Sequence, residues 1–430
     1  MANADTYTTL NGLFKNRYSK MVDVVVPDNA PLFSRIKFAP KDKLGATYNI
    51  PTLLSGEQGL TVGNTTSTLP LALNNSVPIN MQNASLNSEF FLLRAQFGLE
   101  SLTRSASTEQ AVEEFFDILT KNMFNQMARF IEITTLYGGS STGIGQTDSG
   151  TVFTDTSSTV TIVTIKDFAP GIWAVGAEGL QIQFYNGSSL VSTGADSVFS
   201  VTSVLPSTSN YAQGAITVTG TSTGTTALQA LTGTTLTVVL NGAYGVEFNG
   251  IDSIASNTGI LWGINAASYS AWNGVQYSAA SKALTFGKLQ QAVNLAVGRG
   301  LVEDAVVLTS PLTYGNLVSG EAANRRYVED SGKEFVNGAE NITFWSSNGK
   351  LEIQVHSYCK PNLSYIVPIK RLKRIGSVEM AWNYGMPDPE NYLFPLASSM
   401  GYETRLFSDT ALFAETAPCR FVQVNSIVNA

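Results

Sequence analysis

The stretch STEQAVEEFFDILTKNMFNQMARFIEITTLYGG, residues 107–139, decides how the rest of the chain is read. Ser107 followed by Gln110 makes a capping box, and Glu109, Glu113 and Glu114 stand where a helix N-terminus favours negative charge. Val112, Phe116, Leu119, Met123 and Phe130 then fall on one face at helical spacing, and Gly138-Gly139 end the run. The pattern predicts one helix over residues 107–137, about 45 Å long at a rise of ~1.5 Å per residue. A helix of that length is too long for a compact small domain and reads as a spine.

On the C-terminal side of this helix the composition changes. Residues 149–257 are crowded with Thr, Ser, Gly and Val in short alternating runs: Thr159-Val160-Thr161-Ile162-Val163, Leu180-Gln181-Ile182-Gln183-Phe184, Ala215-Ile216-Thr217-Val218 and Leu236-Thr237-Val238-Val239-Leu240. Alternation with period two marks half-buried strands, and Asn186-Gly187, Pro206, Gly220 and Asn241-Gly242 supply turns between them. A small β-sandwich or β-barrel is expected over residues 149–250. From Gly150 to Asn257, Lys166 faces Asp155, Asp167, Glu178, Asp196, Glu247 and Asp252, a net charge of −5. Further on, a second helix is expected at residues 285–297, ended by Gly298, with strands at 305–308, 351–355 and 365–367.

On the N-terminal side, residues 45–54 and 77–97 read as strands bracketing a polar loop, 55–76, whose one charge is Glu57. A loop of that length with no core of its own reads as an interaction arm. The first 43 residues carry seven basic side chains against four acidic ones.

Composition narrows the classes. Of 430 residues, 43% are hydrophobic and 14% charged, where a globular domain has about 25% charged. Ser, Thr, Asn and Gly must cover the surface instead, as expected where it meets other copies of itself. The net charge of −7 provides no global field for nucleic acid or an anionic membrane. Cys359 and Cys419 cannot build a disulfide framework or a four-ligand zinc site, and they suit a reducing compartment. The first residues show no secretory pattern, and no run of 18 apolar residues occurs.

A search for chemistry finds little. The one histidine, His356, lies on the polar phase of the run Leu351-Glu352-Ile353-Gln354-Val355-His356 and reads as structural. The G-x-S-x-G pattern occurs at residues 139–143, after a helix, and at 220–224, in a Gly/Thr-rich β region, so neither has the strand-to-helix setting of a nucleophile elbow. Phosphate-cradling glycine loops are missing. No catalytic residue, cofactor or metal site is expected. The dense basic cluster Lys370-Arg371-Leu372-Lys373-Arg374 reads as a solvated or intersubunit salt-bridging face.

The order of parts resembles the major capsid proteins of tailed bacteriophages, whose shell-forming fold is named after phage HK97. The resemblance lies in Leu10-Asn11-Gly12-Leu13-Phe14-Lys15 leading to Pro31-Leu32-Phe33 and Gly45-Ala46-Thr47-Tyr48, in the helix end Ile131-Glu132-Ile133-Thr134-Thr135-Leu136-Tyr137-Gly138, and in Gly250-Ile251, Gly259-Ile260-Leu261-Trp262-Gly263-Ile264-Asn265 and Trp272. It implies an α+β, HK97-like capsid fold with an N-terminal arm (1–44), an E-loop and adjoining P-domain strand (45–106), a spine helix (107–138), an inserted all-β domain (149–250), and the P-domain and A-domain (251–430). It also implies a homo-oligomer of capsid hexamers and pentamers in a virion assembled in the host bacterial cytoplasm. Partners would be portal, scaffold and decoration proteins and packaged double-stranded DNA contacted non-specifically, with no membrane. Glu57, Lys370, Arg371, Lys373 and Arg374 are the candidate intersubunit contacts. Some relatives weld the shell through a lysine on the E-loop; no lysine lies between Lys43 and Lys121, so a non-covalent shell is expected. The acidic β segment suits an outward face. An encapsulin-type compartment shares the fold. A β-rich adhesin would need an export signal, and an enzyme would have to work with one histidine and no nucleotide loop.

Overall fold

A computed structural model describes residues 30–39, 47–63, 71–100, 115–150, 153–174, 176–207, 212–322, 342–347, 349–382, 393–397 and 400–429. The chain divides into two compact units. The larger comprises Ala30–Phe90, Arg129–Glu379 and Asp409–Ala430; the described part of the smaller lies in Phe91–Ala128 and Met380–Ser408.

In the larger unit, a short helix α1 (Pro31–Arg35) begins with proline at its first turn, where the missing N–H costs nothing. Strands β1 (Tyr48–Ser55) and β2 (Asn80–Leu86) form an antiparallel hairpin in register from Tyr48↔Leu86 to Leu53↔Met81, with a bulge before Ser55. Pro51 is tolerated in β1 because a two-stranded ribbon has only edges. The hairpin is anchored at its base: Ala84 and Leu86 are buried, Tyr48 packs edge-on against Phe413, and Ser85 N–H donates to Trp262 O at 2.9 Å.

Strand β3 (Glu89–Gly98) and helix α2 (Phe115–Tyr137) each run through the boundary between the two units. The first residues expected in α2, 107–114, lie outside the described residues. So does Val112 of the expected apolar face, and nothing is described of the Phe116 side chain. The buried stripe follows Met123, Met127 and Ile131, while Leu119 and Phe130 are half-buried. The last two turns, Ile131 to Tyr137, are buried on every side, so helical periodicity in hydrophobicity stops predicting orientation there.

After α2 come strands β4 (Gly145–Gln146), β5 (Thr154–Ser157) and β6 (Val160–Ile165), helix α3 (Pro170–Trp173), strands β7 (Gln181–Asn186), β8 (Ser189–Leu190), β9 (Phe199–Pro206) and β10 (Gly214–Thr219), helix α4 (Ser222–Gln229) and strand β11 (Thr237–Leu240). They make one sheet in the order β4-β11-β7-β9-β10-β6-β5, with β8 paired to β7. A bridge between Thr147 and Ile165 joins the chain beyond β4 to β6, so the sheet closes on itself. Its interior is apolar: Val163, Ile165, Ile182, Phe184, Phe199, Val201, Ile216, Val218 and Val238 are all buried, and Phe184 meets Phe199 edge-on at 5.3 Å. The chain leaves α2 at Gly138 and returns to the same point: Gly250 N–H donates to Gly138 O at 2.7 Å. Both positions require glycine, because a Cβ on Gly138 would stand 2.2 Å from Phe248 O and one on Gly250 2.6 Å from Thr134 O.

A six-stranded mixed sheet follows. Helix α5 (Ile251–Ala255) and the small hairpin β12 (Ile260–Leu261) with β13 (Ile264–Asn265) precede strand β14 (Val275–Lys282), helix α6 (Phe286–Val297), strand β15 (Ala305–Thr309), helix α7 (Pro311–Ala322), and strands β16 (Ile342–Ser346), β17 (Gly349–Val355) and β18 (Ser364–Val367). With β22 (Val422–Ile427), the sheet order is β14-β22-β18-β15-β17-β16. Thr285 caps α6, its hydroxyl accepting from Lys288 N, and Leu289, Ala292, Val293 and Ala296 pack on Val307, Leu351, Ile366, Val422 and Val424 of the sheet.

The fourth sheet is built from β19 (Leu372–Trp382), β20 (Phe394–Pro395) and β21 (Gly401–Ala414), with β3 also paired to β21. Within the smaller unit, Arg94 and Gln96 of β3 converge with Arg405 on the buried Glu403 of β21: Arg94 Nε–H donates at 2.7 Å, Gln96 Nε2 at 3.2 Å and Arg405 Nε–H at 2.8 Å. Those donors hold the Glu403 carboxyl down to about 2. Phe124 of α2 packs edge-on against Trp382 at 5.5 Å.

Candidate functional site

Chemistry-bearing side chains gather at the C-terminal end of α2, all within the larger unit. Glu132 is wholly buried; its Oε1 accepts from Leu32 N at 2.8 Å and its Oε2 from Phe33 N at 2.6 Å, so it caps α1 from about a hundred residues away. His356 Nε2 lies 2.6 Å from Glu132 Oε1, while Nδ1 accepts from Tyr358 N at 3.3 Å. The acceptor role of Nδ1 assigns the proton to Nε2, which donates it to the carboxylate. Both ring nitrogens are thereby engaged, and the histidine links β17 to α1 through Glu132.

Lys360 is the next member. It is 0% exposed; its Nζ donates to Gly143 O at 2.8 Å, Thr142 Oγ1 at 3.0 Å and Thr142 O at 3.3 Å, pairs with Asp167 Oδ2 at 3.0 Å, and sits 4.7 Å from the Tyr137 ring centroid. Tyr137 Oη accepts from Lys360 N at 2.8 Å and donates to Tyr358 O at 3.0 Å. Asp252 forms a third node: its Oδ1 accepts from Tyr365 Oη at 2.8 Å and Gln423 Nε2 at 2.6 Å, and its Oδ2 from Ser140 Oγ. Burial first, then neighbouring Asp252, pushes the Tyr365 phenol well up; burial, with the charges of Glu132 and Asp252, pushes the Cys359 thiol up. A thiol so shifted is a packing group and not a nucleophile at neutral pH.

The second G-x-S-x-G run corrects the sequence reading. Residues 220–224 join β10 to α4, so the strand-to-helix setting is present; Thr221 caps the helix, accepting from Gly224 N at 3.1 Å. The Gly/Thr composition concealed a helix whose cap is a threonine and whose inner face, Thr225 and Leu228, is buried. Ser222 is exposed, and His356 is spent on Glu132. In the first run the serine at the motif position, Ser141, is exposed and has no side-chain hydrogen bond among the described residues, while its neighbour Ser140 donates to Asp252. Neither serine has the base a nucleophile needs.

Two surfaces remain. The first is the distal hairpin: eight of the nineteen large apolar side chains left exposed among the described residues lie between positions 53 and 81. Leu60, Val62 and Leu73 are each more than three-quarters exposed, in the segment that carries the exposed Glu57. The second is the basic cluster, and the fold divides it. Lys370 pairs with Asp304 at 3.0 Å, Arg371 donates to both Glu303 oxygens at 2.7 and 2.8 Å, and Lys373 pairs with Glu415 at 2.8 Å. Arg374 points the other way and is 2% exposed: it donates to Ile36 O at 2.9 Å and Phe33 O at 3.0 Å, pairs with Glu379 at 2.6 Å and stacks 3.9 Å over the Phe33 ring. It ties residues 33–39 to β19, where Phe38 bridges Arg374. Three side chains of the cluster therefore face outward, and the fourth is an internal clamp.

No family model and no curated protein matches the sequence. The fold, compared with solved structures, is that of capsid chains. A chain of the cyanophage A-1(L) capsid asymmetric unit aligns over 99% of this chain and 100% of its own, with a TM-score of 0.57 at 12% identity. A chain of the capsid of the native GTA particle aligns over 100% of both, with a TM-score of 0.51 at 7% identity. At such identities the likeness rests on the backbone path.

Proposed function

We propose that this chain is the major capsid protein of a tailed bacteriophage, a structural subunit that self-assembles into an icosahedral head around double-stranded DNA. The observation that carries the reading is the end-to-end match of its fold to two capsid chains. The exposed hairpin supports it physically. An isolated two-stranded hairpin is at best marginally stable in water, yet this one carries its apolar side chains into solvent beyond an anchored base. Burying six of them on a neighbour would contribute on the order of 10 kcal/mol before the cost of association, itself about 4–15 kcal/mol. One hairpin thus gives weak association, and many around a closed shell give a stable particle.

On this reading residues 1–44 are the N-arm, 45–106 the E-loop with its adjoining strand, 107–138 the spine helix, 149–250 an inserted β domain, and 251–430 the P- and A-domains of an HK97-like subunit. The meeting of Gly138 and Gly250 supports an insertion, since a segment that begins and ends at one point can be added without disturbing the body. Subunits form hexamers and pentamers through heterologous contacts, with Glu57 and Arg371 facing neighbours. Portal, scaffold and decoration proteins complete the particle, which assembles in the host cytoplasm. Electron microscopy of the purified protein, with and without a co-expressed scaffold, tests this. Closed shells tens of nanometres across are expected; a monodisperse monomer under every condition overturns the reading, and shells filled with a cargo protein in place of DNA assign the chain to an encapsulin-type compartment.

A further inference from the structure

The larger unit carries a second feature besides the hairpin. Where the segment following α1 runs alongside β19, a cleft of about 750 Å³ opens against the first residues of β15 and β17. Its walls carry Arg35, Lys37, Lys350, Lys370 and Lys373 against Asp304 and Glu352. Five cations facing two carboxylates is an unusual concentration in a chain whose net charge is −7. Both carboxylates are engaged, Glu352 by Arg35 at 3.0 Å and Asp304 by Lys370 at 3.0 Å. Lys37 and Lys350 are exposed, and among the described residues neither ammonium has a carboxylate within ion-pair distance.

An occupant must be anionic and more than singly charged. The chain's own flanking sequence does not qualify, because residues 1–29 and 40–46 set Lys15, Arg17, Lys20, Lys41 and Lys43 against Asp5, Asp23, Asp28 and Asp42 and so carry no net negative charge. Five cations distributed around a cleft of this size suit a polymeric anion better than one carboxylate. Four of the five cations are lysines, point charges that neutralise phosphates without the planar fork used for bidentate recognition. We propose that this cleft contacts the phosphodiester backbone of duplex DNA without reading its sequence, and so marks the face of the subunit turned towards the packaged genome. The inference rests on the capsid reading above and adds to it a binding site and an orientation.

The test uses the full-length, unassembled chain and a labelled random-sequence duplex spanning several helical turns, with binding followed by fluorescence anisotropy over a salt series. Lys37→Glu/Lys350→Glu removes the two unpaired cations; Lys37→Gln/Lys350→Gln does so without adding charge, should the first variant fail to fold. Lys166→Glu/Lys282→Glu applies the same change in net charge away from the cleft. Every phosphate that the protein no longer neutralises lowers the slope of log affinity against log salt by about 0.9. Both cleft variants should therefore lose nearly two units of slope and about tenfold or more in affinity at moderate salt, while the control keeps the wild-type slope. An unchanged slope in the cleft variants, or an equal loss in the control, overturns the proposal. Micrographs of the same proteins separate the two readings. Shells that form normally from a variant with wild-type DNA binding sink the cleft and leave the capsid reading standing, whereas absence of shells from the wild type sinks the capsid reading. Loss of shells in the cleft variants with DNA binding intact assigns the cleft to a contact between copies and also overturns the proposal.

Discussion

Lys360→Met removes the charge at the centre of the buried junction and keeps much of the side chain's volume. Asp167 would then be a buried carboxylate whose remaining close donor is Gln146 N at 2.6 Å, and Gly143 O would lose a donor at 2.8 Å. Removing one partner of a buried ion pair costs about 3–5 kcal/mol, because the other charge stays out of water. At about 2–3 °C per kcal/mol for a domain of this size, the unfolding transition should fall by roughly 6–15 °C. Scanning calorimetry on unassembled protein measures this, with the transition of the larger unit followed by itself, since two units need not melt together. The double variant Lys360→Met/Asp167→Asn should lose less than the sum of the single losses, by about 1–3 kcal/mol, because no charge is then stranded. A drop under about 2 °C for Lys360→Met, or strictly additive costs, would refute the reading of Lys360 and Asp167 as a buried pair in which each charge depends on the other.

Three further outcomes follow from the same geometry. Burial pushes the Glu247 carboxyl up to about 7 against the Gly139 N–H, which opposes the shift, while the charge of Glu89 adds to it. The folded state thus holds a proton that the unfolded chain releases near 4.5; stability falls as pH rises from about 4.5 to 7 and is level above. Glu247→Gln should therefore raise the melting temperature at pH 8, by up to about 3 kcal/mol of stability, and leave it nearly unchanged near pH 4.5; the same gain at both pH values would contradict the assignment. Arg374→Ala should cost about 3 kcal/mol or more in denaturant unfolding, whereas Lys370→Ala, whose pair with Asp304 is exposed, should cost under 1 kcal/mol. Denaturing gels of mature particles should show the free subunit alone, because residues 44–120 contain no lysine; ladders of linked subunits would show otherwise.

What could be read from the sequence followed the periodicity. The strands near residues 160 and 216 were legible because one face of each is buried and the other only half-buried, whereas those near 182 and 238 kept an alternating residue pattern although three consecutive side chains of each are buried. Strand β21 was not, since from Ser408 to Ala414 it is buried on both faces and its alternation vanishes. Helix α4 hides in Thr, Ser and Gly of low helix propensity and is held by its Thr221 cap and tertiary packing. Helix α7 did leave a signal in Ser310-Pro311, with Ser310 Oγ accepting from Thr313 N at 3.2 Å, a capping residue followed by proline at the first helical position. The basic cluster is contiguous in sequence, but strand geometry separates its members: Lys373 points outward and Arg374 into the core. Lys360 and Asp167 are 193 positions apart, and no local pattern announces that they meet.

The central claim is that the hairpin is unfinished without a neighbour. A reconstruction of the assembled particle tests it directly, by comparing the accessibility of Leu60, Val62 and Leu73 in the particle with that of the single chain, where each is more than 70% exposed. These side chains should be buried on a second copy, and the hairpin base should keep its packing on Trp262 and Phe413. A particle in which they remain exposed to solvent, or a protein that forms no particle and stays monomeric with the hairpin ordered, would contradict it.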